Sequence, residues 1–274
     1  MTPLAIAHLT VLDVPPQALV RLAADTGYDA VTLQISPPEL SRGPTYVLEP
    51  GGAALRALRA TLDASGVSVL DVQVIRLGPL FDARRYESML QVAAELGAGH
   101  AVVVCDDRDM ARAAGSLAAL AALARPMGLQ LSLEYMVYSG VPSLQAALAL
   151  IHAAGADNVV LLVDTLHHHR SGGAAADLGS LPPRLVPYVQ VCDAPRMPPE
   201  GSDGLEDLRA EALTDRLVPG DGGLPLGAML AAVPAGAPWV LEVPLKSRTV
   251  FGSDRALLEY ARRRMVSLMP RPGA

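Results

Sequence analysis

Short apolar runs alternate along the chain with longer stretches in which apolar residues recur every three or four positions. Eight of the short runs are rich in Val, Leu, Ile and Ala and are apolar on both faces, as parallel strands covered by helices require. The pattern therefore predicts eight parallel strands. They span Leu4–Leu9, Ala30–Ile35, Val67–Ile75, Ala101–Cys105, Leu129–Glu134, Val159–Asp164, Tyr188–Cys192 and Trp239–Val243.

Amphipathic helices are predicted between these strands, and residues that favour helix ends bound them. Pro16–Thr26 begins with Pro and is followed by Gly27, which is the usual asymmetry of helix ends. Ala53–Ala64 places its leucines on one face and stops at Gly66. Further helices are predicted at Arg85–Leu96, Asp109–Ala124, Ser143–Ala154, Leu205–Ala212 and Asp254–Leu268.

Alternating strands and helices imply parallel pairing with right-handed crossovers. Periodicity alone leaves two architectures open, an open doubly wound sheet and a closed barrel. The count of eight strands favours closure, and the length of 274 residues is near the roughly 250 typical of such barrels. We therefore predict a single (β/α)8 TIM barrel domain over residues 1–274, with its active site at the C-terminal strand ends.

Composition narrows the classes of protein to which the chain can belong. Hydrophobic residues make up 51% of the chain and aromatic residues only 4%, so the core must be aliphatic. The net charge of −6 and the lack of a basic cluster argue against a nucleic-acid-binding protein. Two cysteines, Cys105 and Cys192, end apolar runs and are expected to be reduced thiols. No signal peptide or membrane span is predicted, and a cytoplasmic location is expected.

Oxygen-bearing side chains end four consecutive predicted strands. Glu134 ends strand 5 and Asp164 ends strand 6, while Gln190 lies in strand 7 and Glu242 near the end of strand 8. In such barrels the chemistry is assembled at the C-terminal strand ends. Buried carboxylates there would repel one another and raise one another's pKa values, and a divalent cation resolves both problems. The four residues are therefore predicted metal ligands.

Each of these residues alone is more often a loop hydrogen-bonding group or an ion-pair partner than a metal ligand. The metal interpretation depends on finding one such residue on each of four successive strands. The run His167-His168-His169 is typical of a metal tract, but adjacent residues point in different directions, so at most one should face the site. His168 and His169 are assigned to a loop or a helix start.

Other polar residues near strand ends are candidates for substrate binding. His8, Gln34 and Arg76 end strands of the first half and are expected to line the opposite wall of the pocket. Lys246 lies just beyond strand 8 and could reach a substrate carboxylate. For each of them, ordinary loop chemistry is the alternative.

At these residues the chain resembles the xylose isomerase-like TIM-barrel superfamily, which includes sugar epimerases, hydroxypyruvate isomerases, inosose and 3-dehydroshikimate dehydratases and endonuclease IV. The resemblance covers essentially the whole chain. Asp164–His167 matches the family's Asp-Thr-x-His element, and Gln190–Pro195 is similar to the form with Gln in hydroxypyruvate isomerase-like and dehydratase-like members. Arg216–Gly222 matches an Arg before a Pro-Gly-x-Gly turn, and Glu134 and Glu242 match the strand 5 and strand 8 glutamates.

The resemblance implies a divalent-metal-dependent isomerase or epimerase that acts on a small sugar or hydroxy-keto compound through a metal-bound enediolate. An all-oxygen ligand set suits Mn²⁺ or Mg²⁺, with Co²⁺ or Zn²⁺ as alternatives. Glu134 and Glu242 would transfer a proton between neighbouring carbons, one as base and the other as acid. His167 would contact a substrate hydroxyl or shuttle a proton, and Arg216 would bind the polar end of the substrate.

Several alternatives to an isomerase remain at this point. Epimerase-like members carry an acidic residue about six positions after the strand 5 glutamate, where this chain has Gly140, and this favours a metal-dependent dehydratase. An endonuclease IV-like nuclease lacks support because the extra zinc-binding histidines are missing. A sugar-binding protein without catalysis is disfavoured by the charged site. The expected partner is a small polyol, sugar or keto-acid substrate, with a homodimer or tetramer as the assembly.

Overall fold

The computed structural model describes residues 2–41, 45–199 and 204–270, and the ends of the predicted 1–274 range lie outside them. Eight strands are found in the described part of the chain. They are β1 (Leu4–Ile6), β2 (Ala30–Gln34), β3 (Ser68–Leu77), β4 (His100–Cys105), β5 (Gln130–Glu134), β6 (Val159–Asp164), β7 (Val189–Val191) and β8 (Trp239–Leu241).

Helices separate these strands and surround them. Those that the structure describes are α1 (Pro16–Thr26), α2 (Ala53–Ser65), α3 (Glu87–Leu96), α4 (Met110–Ala124), α5 (Leu144–Ala154), α6 (Thr165–Arg170), α7 (Ala175–Gly179), α8 (Leu205–Thr214), α9 (Leu226–Ala232) and α10 (Asp254–Leu268). Among the described helices, none is both long enough and apolar enough to cross a bilayer.

The strands close into a barrel in sequence order, and every neighbouring pair is parallel. Closure depends on β1 and β8, where Leu4 is paired with Trp239 and Ile6 with Leu241. Apolar residues of the strands and helices form one large cluster between the barrel and its helical shell. The prediction of a closed (β/α)8 barrel is confirmed, and the open doubly wound sheet is excluded.

Most predicted helices begin and end within two residues of their observed limits. Asp109 and Ser143, predicted to be the first residues of α4 and α5, precede those helices as caps: their side chains accept from the backbone N–H groups of Arg112 and Ala146. Gly27 ends α1 with a φ of 78°, a conformation that suits glycine.

The second half of the barrel contains the main differences from the sequence expectation. β7 and β8 are only three residues long, so Glu242 follows its strand instead of ending it. The helices α6, α7 and α9 were not predicted. They are only five to seven residues long, which gives little helical periodicity to detect.

Buried polar residues also occupy the barrel interior, among small apolar residues. Asp71 of β3 is fully buried and pairs in register with His100 of β4. The His100 ring packs edge-on against Tyr188 at 5.0 Å, and its Nδ1 lies 3.1 Å from the Ser132 hydroxyl. Burial raises the pKa of the Asp71 carboxyl group to about 7, although the neighbouring side chains of Tyr188 and Gln73 oppose the shift.

Candidate active site

Three carboxylates converge at the C-terminal end of the barrel. Glu134 ends β5, Asp164 ends β6 and Glu242 follows β8, and all three are buried. One oxygen of each lies within 4.8 Å of the others, a spacing at which one ion can contact all three. Parallel strands deliver their last residues to the same edge of a barrel, so side chains far apart in sequence meet there.

The backbone on both sides of Glu242 is fixed by the first loop of the chain. The Thr10 hydroxyl donates to the carbonyl of Leu241 at 3.0 Å and accepts from the N–H of Val243 at 3.0 Å. The N–H of Glu242 itself donates to the carbonyl of Val191 at 3.1 Å. These contacts hold Glu242 in place although it lies outside the β8 ladder.

Gln190 lies beside the carboxylates in the middle of β7, opposite Asp164 of β6 in the strand register. Its Nε2 donates to Glu242 Oε1 at 2.9 Å. Its Oε1 is buried and, among the described residues, has no hydrogen-bond partner. An unsatisfied buried amide oxygen beside three carboxylates fits an all-oxygen ligand set for a divalent cation.

Arg216 also lies within the cluster. It follows α8, and its side chain is 2% exposed. Its Nη1 lies 2.6 Å from Asp164 Oδ2 and its Nη2 lies 3.2 Å from Glu242 Oε2. The arginine therefore bridges two of the three carboxylates.

His167, in the first turn of α6, lies between Glu134 and Arg216. Its Nε2 is 3.7 Å from Glu134 Oε1 and 3.5 Å from Arg216 Nη2. Burial lowers the pKa of this imidazole to about 4, with Asp164 opposing and Arg216 reinforcing the shift. The ring is therefore neutral near pH 7 and can accept a hydrogen bond.

The three carboxyl groups differ in how readily they ionise. Burial raises the pKa of Glu134 well above its usual range, and the neighbouring Glu242 and Asp164 raise it further. Burial also raises the pKa of Glu242, to about 7, although Arg216 opposes the change. For Asp164 burial acts in the same sense, but Arg216 and the other donors outweigh it and the pKa is lowered. The site thus combines one stable carboxylate with two groups that bind protons readily.

A cavity of about 390 Å³ opens above this cluster. Six of the residues that line it, Gln34, Arg76, Glu134, His167, Arg216 and Glu242, were singled out from the sequence. Asp164 and Gln190 do not line the cavity but contact residues that do. The structure thus brings the four proposed ligands and four of the predicted pocket residues together.

Two of the predicted substrate-binding residues do not lie on the cavity wall. Both ring nitrogens of His8 bond to backbone groups: its Nε2 donates to the Val14 carbonyl and its Nδ1 accepts from the Gln34 N–H. The Lys246 side chain is 82% exposed and lies 3.9 Å from Asp215. Their predicted roles in substrate binding have no support in this geometry.

Several cavity residues were missed by sequence reasoning. Tyr138, in the loop after β5, packs edge-on against His167 with ring centroids 5.6 Å apart. Glu206, Arg209 and Leu213 line the cavity from α8. The sequence places α8 in the long loop at the active end, but its weak amphipathic pattern does not indicate which face meets the pocket.

Gly140 has a structural reason to lack a side chain. A Cβ at this position would overlap the carbonyl oxygen of Asp107, in the loop after β4. The Gly140 N–H donates to the Cys105 carbonyl at 2.7 Å. The loops after β4 and β5 therefore pack backbone against backbone, which excludes an acidic residue from this position.

Asp193, two residues after β7, is buried but belongs to a structural turn. Its two oxygens accept from the backbone N–H groups of Ala194, Gly220, Gly222 and Leu224 at 2.8–3.0 Å. The aspartate therefore holds the Pro-Gly-x-Gly turn against the end of β7. Arg216 lies on the strand-like segment that leads into this turn, where Leu217 pairs with Asp193.

The family model described as a xylose isomerase-like TIM barrel matches residues 20–263. The chain belongs to this family. The match includes every residue of the carboxylate cluster, together with Gln190 and Arg216. No curated protein sequence matches the chain.

Solved structures of this fold include proteins with different stated activities. An IolI protein with a bound zinc atom is 18% identical at a TM-score of 0.78, and 98% of each chain is covered. The probable 3-DHS dehydratase AsbF of Bacillus anthracis is 11% identical at 0.75, with 98% of this chain and 100% of that one covered. A D-psicose 3-epimerase of Clostridium cellulolyticum H10 is 15% identical at 0.70, with 97% of each covered. At these identities the likeness establishes the shared fold.

Proposed function

We propose that this xylose isomerase-like protein is a divalent-metal-dependent isomerase or epimerase of a small sugar or hydroxy-keto compound. The observation that carries the proposal is the pairing of two carboxyl groups, Glu134 and Glu242, on one cavity wall. Both have raised pKa values, and that of Glu242 is about 7. Paired carboxyl groups that bind a proton more readily than a free carboxylate are suited to moving one between adjacent carbons.

The donor set of the site fits a divalent ion. Glu134, Asp164 and Glu242 supply carboxylate oxygens, and Gln190 supplies an unsatisfied amide oxygen. Mn²⁺ or Mg²⁺ suits these ligands, and the zinc atom bound by the IolI protein, which has the same fold, supports a divalent ion in this chain. When bound, the ion would supply Lewis acidity that weakens the C–H bond beside a substrate carbonyl.

The side chains around the ligands have separate tasks in this proposal. One of Glu134 and Glu242 takes a proton from a substrate carbon, and the other returns a proton to the neighbouring carbon or to the opposite face of the same carbon. Gln190 orients Glu242 through the 2.9 Å hydrogen bond. His167 is neutral and accepts a hydrogen bond from a substrate hydroxyl, while Tyr138 and the apolar cavity residues exclude bulk water.

A dehydratase that uses the same activated C–H bond is the second candidate. The overlap of any Gly140 side chain with Asp107 favours it, because the further acid of epimerase-like members cannot be accommodated there. The fold shared with a probable 3-DHS dehydratase also supports it.

One experiment separates the two candidates. The purified protein is incubated with Mn²⁺ and a panel of ketoses, hydroxypyruvate, inosose and 3-dehydroshikimate. An isomerase produces a new isomer that chromatography detects, whereas a dehydratase produces a conjugated-enone absorbance. Chelator-treated protein is the control, and activity that survives full metal removal would overturn the proposal.

A further inference from the structure

The guanidinium of Arg216 is fully engaged by the protein. Its Nε donates to the Ala212 carbonyl at 2.7 Å, which ties it to the last turn of α8. Its Nη1 and Nη2 contact Asp164 and Glu242 at 2.6 and 3.2 Å. Nη1 also lies 3.4 Å from the Glu242 carbonyl oxygen. The group is therefore fixed inside the carboxylate cluster.

The charge balance of the cluster supports the same conclusion. Glu134, Asp164 and Glu242 carry three negative charges when ionised, and Arg216 keeps its positive charge at any ordinary pH. The net charge of the four side chains is therefore two negative charges, which one divalent ion would neutralise. Buried charges at these distances interact strongly because water does not screen them.

We propose that Arg216 is the resident cation of this site: it holds Asp164 and Glu242 together when no metal ion is bound, and its charge weakens the binding of a divalent ion. The proposal rests on the proposed metal-dependent function. An ion bound to the same carboxylates is a close neighbour of the guanidinium, and the two positive charges repel each other. Arg216 is thus a positioning residue.

A resident cation and an arginine that binds substrate predict different behaviour. Loss of a substrate-binding arginine raises KM and leaves metal affinity unchanged. Loss of a resident cation removes the repulsion and strengthens metal binding. It also lowers the melting temperature of the metal-free protein, because two carboxylates lose their buried partner.

The test uses the full-length protein, stripped of metal by a chelator, as wild type, Arg216→Met and Arg216→Lys. The matched control is Arg209→Met, since Arg209 lines the same cavity but lies 3.8 Å from Glu206 of its own helix. Mn²⁺ binding is measured by calorimetry at roughly pH 8.5, where protons compete less with the ion for the carboxylates. Melting temperatures are recorded with and without Mn²⁺.

In Arg216→Met we expect Mn²⁺ affinity to rise about tenfold or more, with a lower melting temperature in the metal-free protein. Arg216→Lys keeps the charge but cannot bridge both carboxylates. Its Mn²⁺ affinity should stay within about threefold of wild type, while its metal-free melting temperature falls. Arg209→Met should change the affinity by less than about twofold.

The outcomes separate this inference from the proposed function. If wild type binds Mn²⁺ and Arg216→Met binds it no more tightly, the inference is overturned and the metal-dependent function stands. If only Arg216→Met binds Mn²⁺, the inference stands and the proposed function fails. If neither binds, both fail. If Arg216→Met does not fold, Arg216→Lys decides, and any change in its affinity beyond about threefold overturns the inference.

Discussion

Asp164 and Asp193 are buried aspartates at the same end of the barrel, 1% and 2% exposed, but they have different partners. Asp193 accepts from four backbone N–H groups of one turn. Asp164 accepts from one backbone N–H and from Arg216, and two further carboxyl groups lie close to it. Burial alone therefore does not distinguish a carboxylate that stabilises a turn from one in a candidate active site. The partners do: Asp193 has backbone donors, whereas Asp164 has other carboxyl groups beside it.

Asp71 in the barrel interior extends the comparison. It is also fully buried, but its polar neighbours are the uncharged side chains of Tyr188 and Gln73. Burial raises its pKa to about 7, so near neutral pH it is partly protonated. The three buried aspartates thus lie in three environments: a turn of backbone donors, a cluster of carboxyl groups and the barrel interior.

The largest expected effect is on catalysis, in Glu242→Gln. This change removes the proposed proton-transfer group from the cluster while it keeps the side-chain volume. Turnover should fall by roughly two to three decades, about 3–4 kcal/mol of transition-state stabilisation, while the fold stays intact. Turnover is measured with saturating Mn²⁺, with Glu259→Gln on the exposed face of α10 as the control. Full activity in the metal-replete variant would show that the chemistry lies elsewhere.

The next effect is on stability, in Asp193→Asn. An amide offers one acceptor oxygen where the carboxylate offers two, so at least two of the turn's N–H groups lose their partner. We expect the free energy of unfolding to fall by about 3 kcal/mol. Urea unfolding measures the loss, and Asp221→Asn at the exposed end of the same turn is the control. An unchanged midpoint would mean that burial, not the donor set, determines the behaviour of Asp193.

Asp71, in the barrel interior, should make the stability of the protein depend on pH. The pKa of Asp71 is about 7 in the folded protein and about 3.8 in a free side chain, so folding is favoured when the group holds its proton. This contribution is fully present below about pH 3.8 and is lost as pH rises through 7. Between pH 5 and 8 the loss should be about 2–3 kcal/mol.

Asp71→Asn removes that titration and leaves the other buried carboxyl groups in place. The difference in unfolding free energy between wild type and variant should therefore change steadily from pH 5 to 8, in favour of the variant at high pH. Urea unfolding at several pH values, all with chelator, measures it. A difference that does not vary with pH would show that Asp71 is charged in the folded protein.

The smallest effects concern the pocket wall. Arg76 lines the cavity and lies 3.6 Å from Asp106, whereas Lys246 lies outside it. Arg76→Gln should raise KM by about threefold to tenfold. Lys246→Gln should leave KM within about twofold, since the exposed charge of Lys246 lies outside the cavity and contributes little. Steady-state kinetics on the substrate that the panel identifies compares the two. An equal effect of both changes on KM would contradict the placement of Arg76 on the cavity wall and of Lys246 outside it.

The fold and the carboxylate cluster can both be predicted from the sequence, and for the same reason. Strand periodicity and turn residues locate each strand end, and the barrel brings those ends together, so Glu134, Asp164 and Glu242 can be predicted to meet. What the sequence lacks is the direction of side chains on irregular segments. Arg216, predicted to contact substrate, bridges two carboxylates instead, and whether it also contacts substrate stays a prediction. His8 and Lys246 were placed on the wall because they lie near strand ends, which does not fix where their side chains point.

The hydroxyl of Thr10 contacts the backbone on both sides of Glu242 across 231 and 233 residues of sequence. During synthesis the first loop emerges long before its partner, and closing so large a loop carries a high entropic cost. Strands β1 to β7 can pair progressively as they leave the ribosome, but Glu242 is positioned only when β8 meets β1. The order of folding therefore delays completion of the carboxylate cluster until the barrel has closed, so a partly made chain has most of the fold but not the complete cluster.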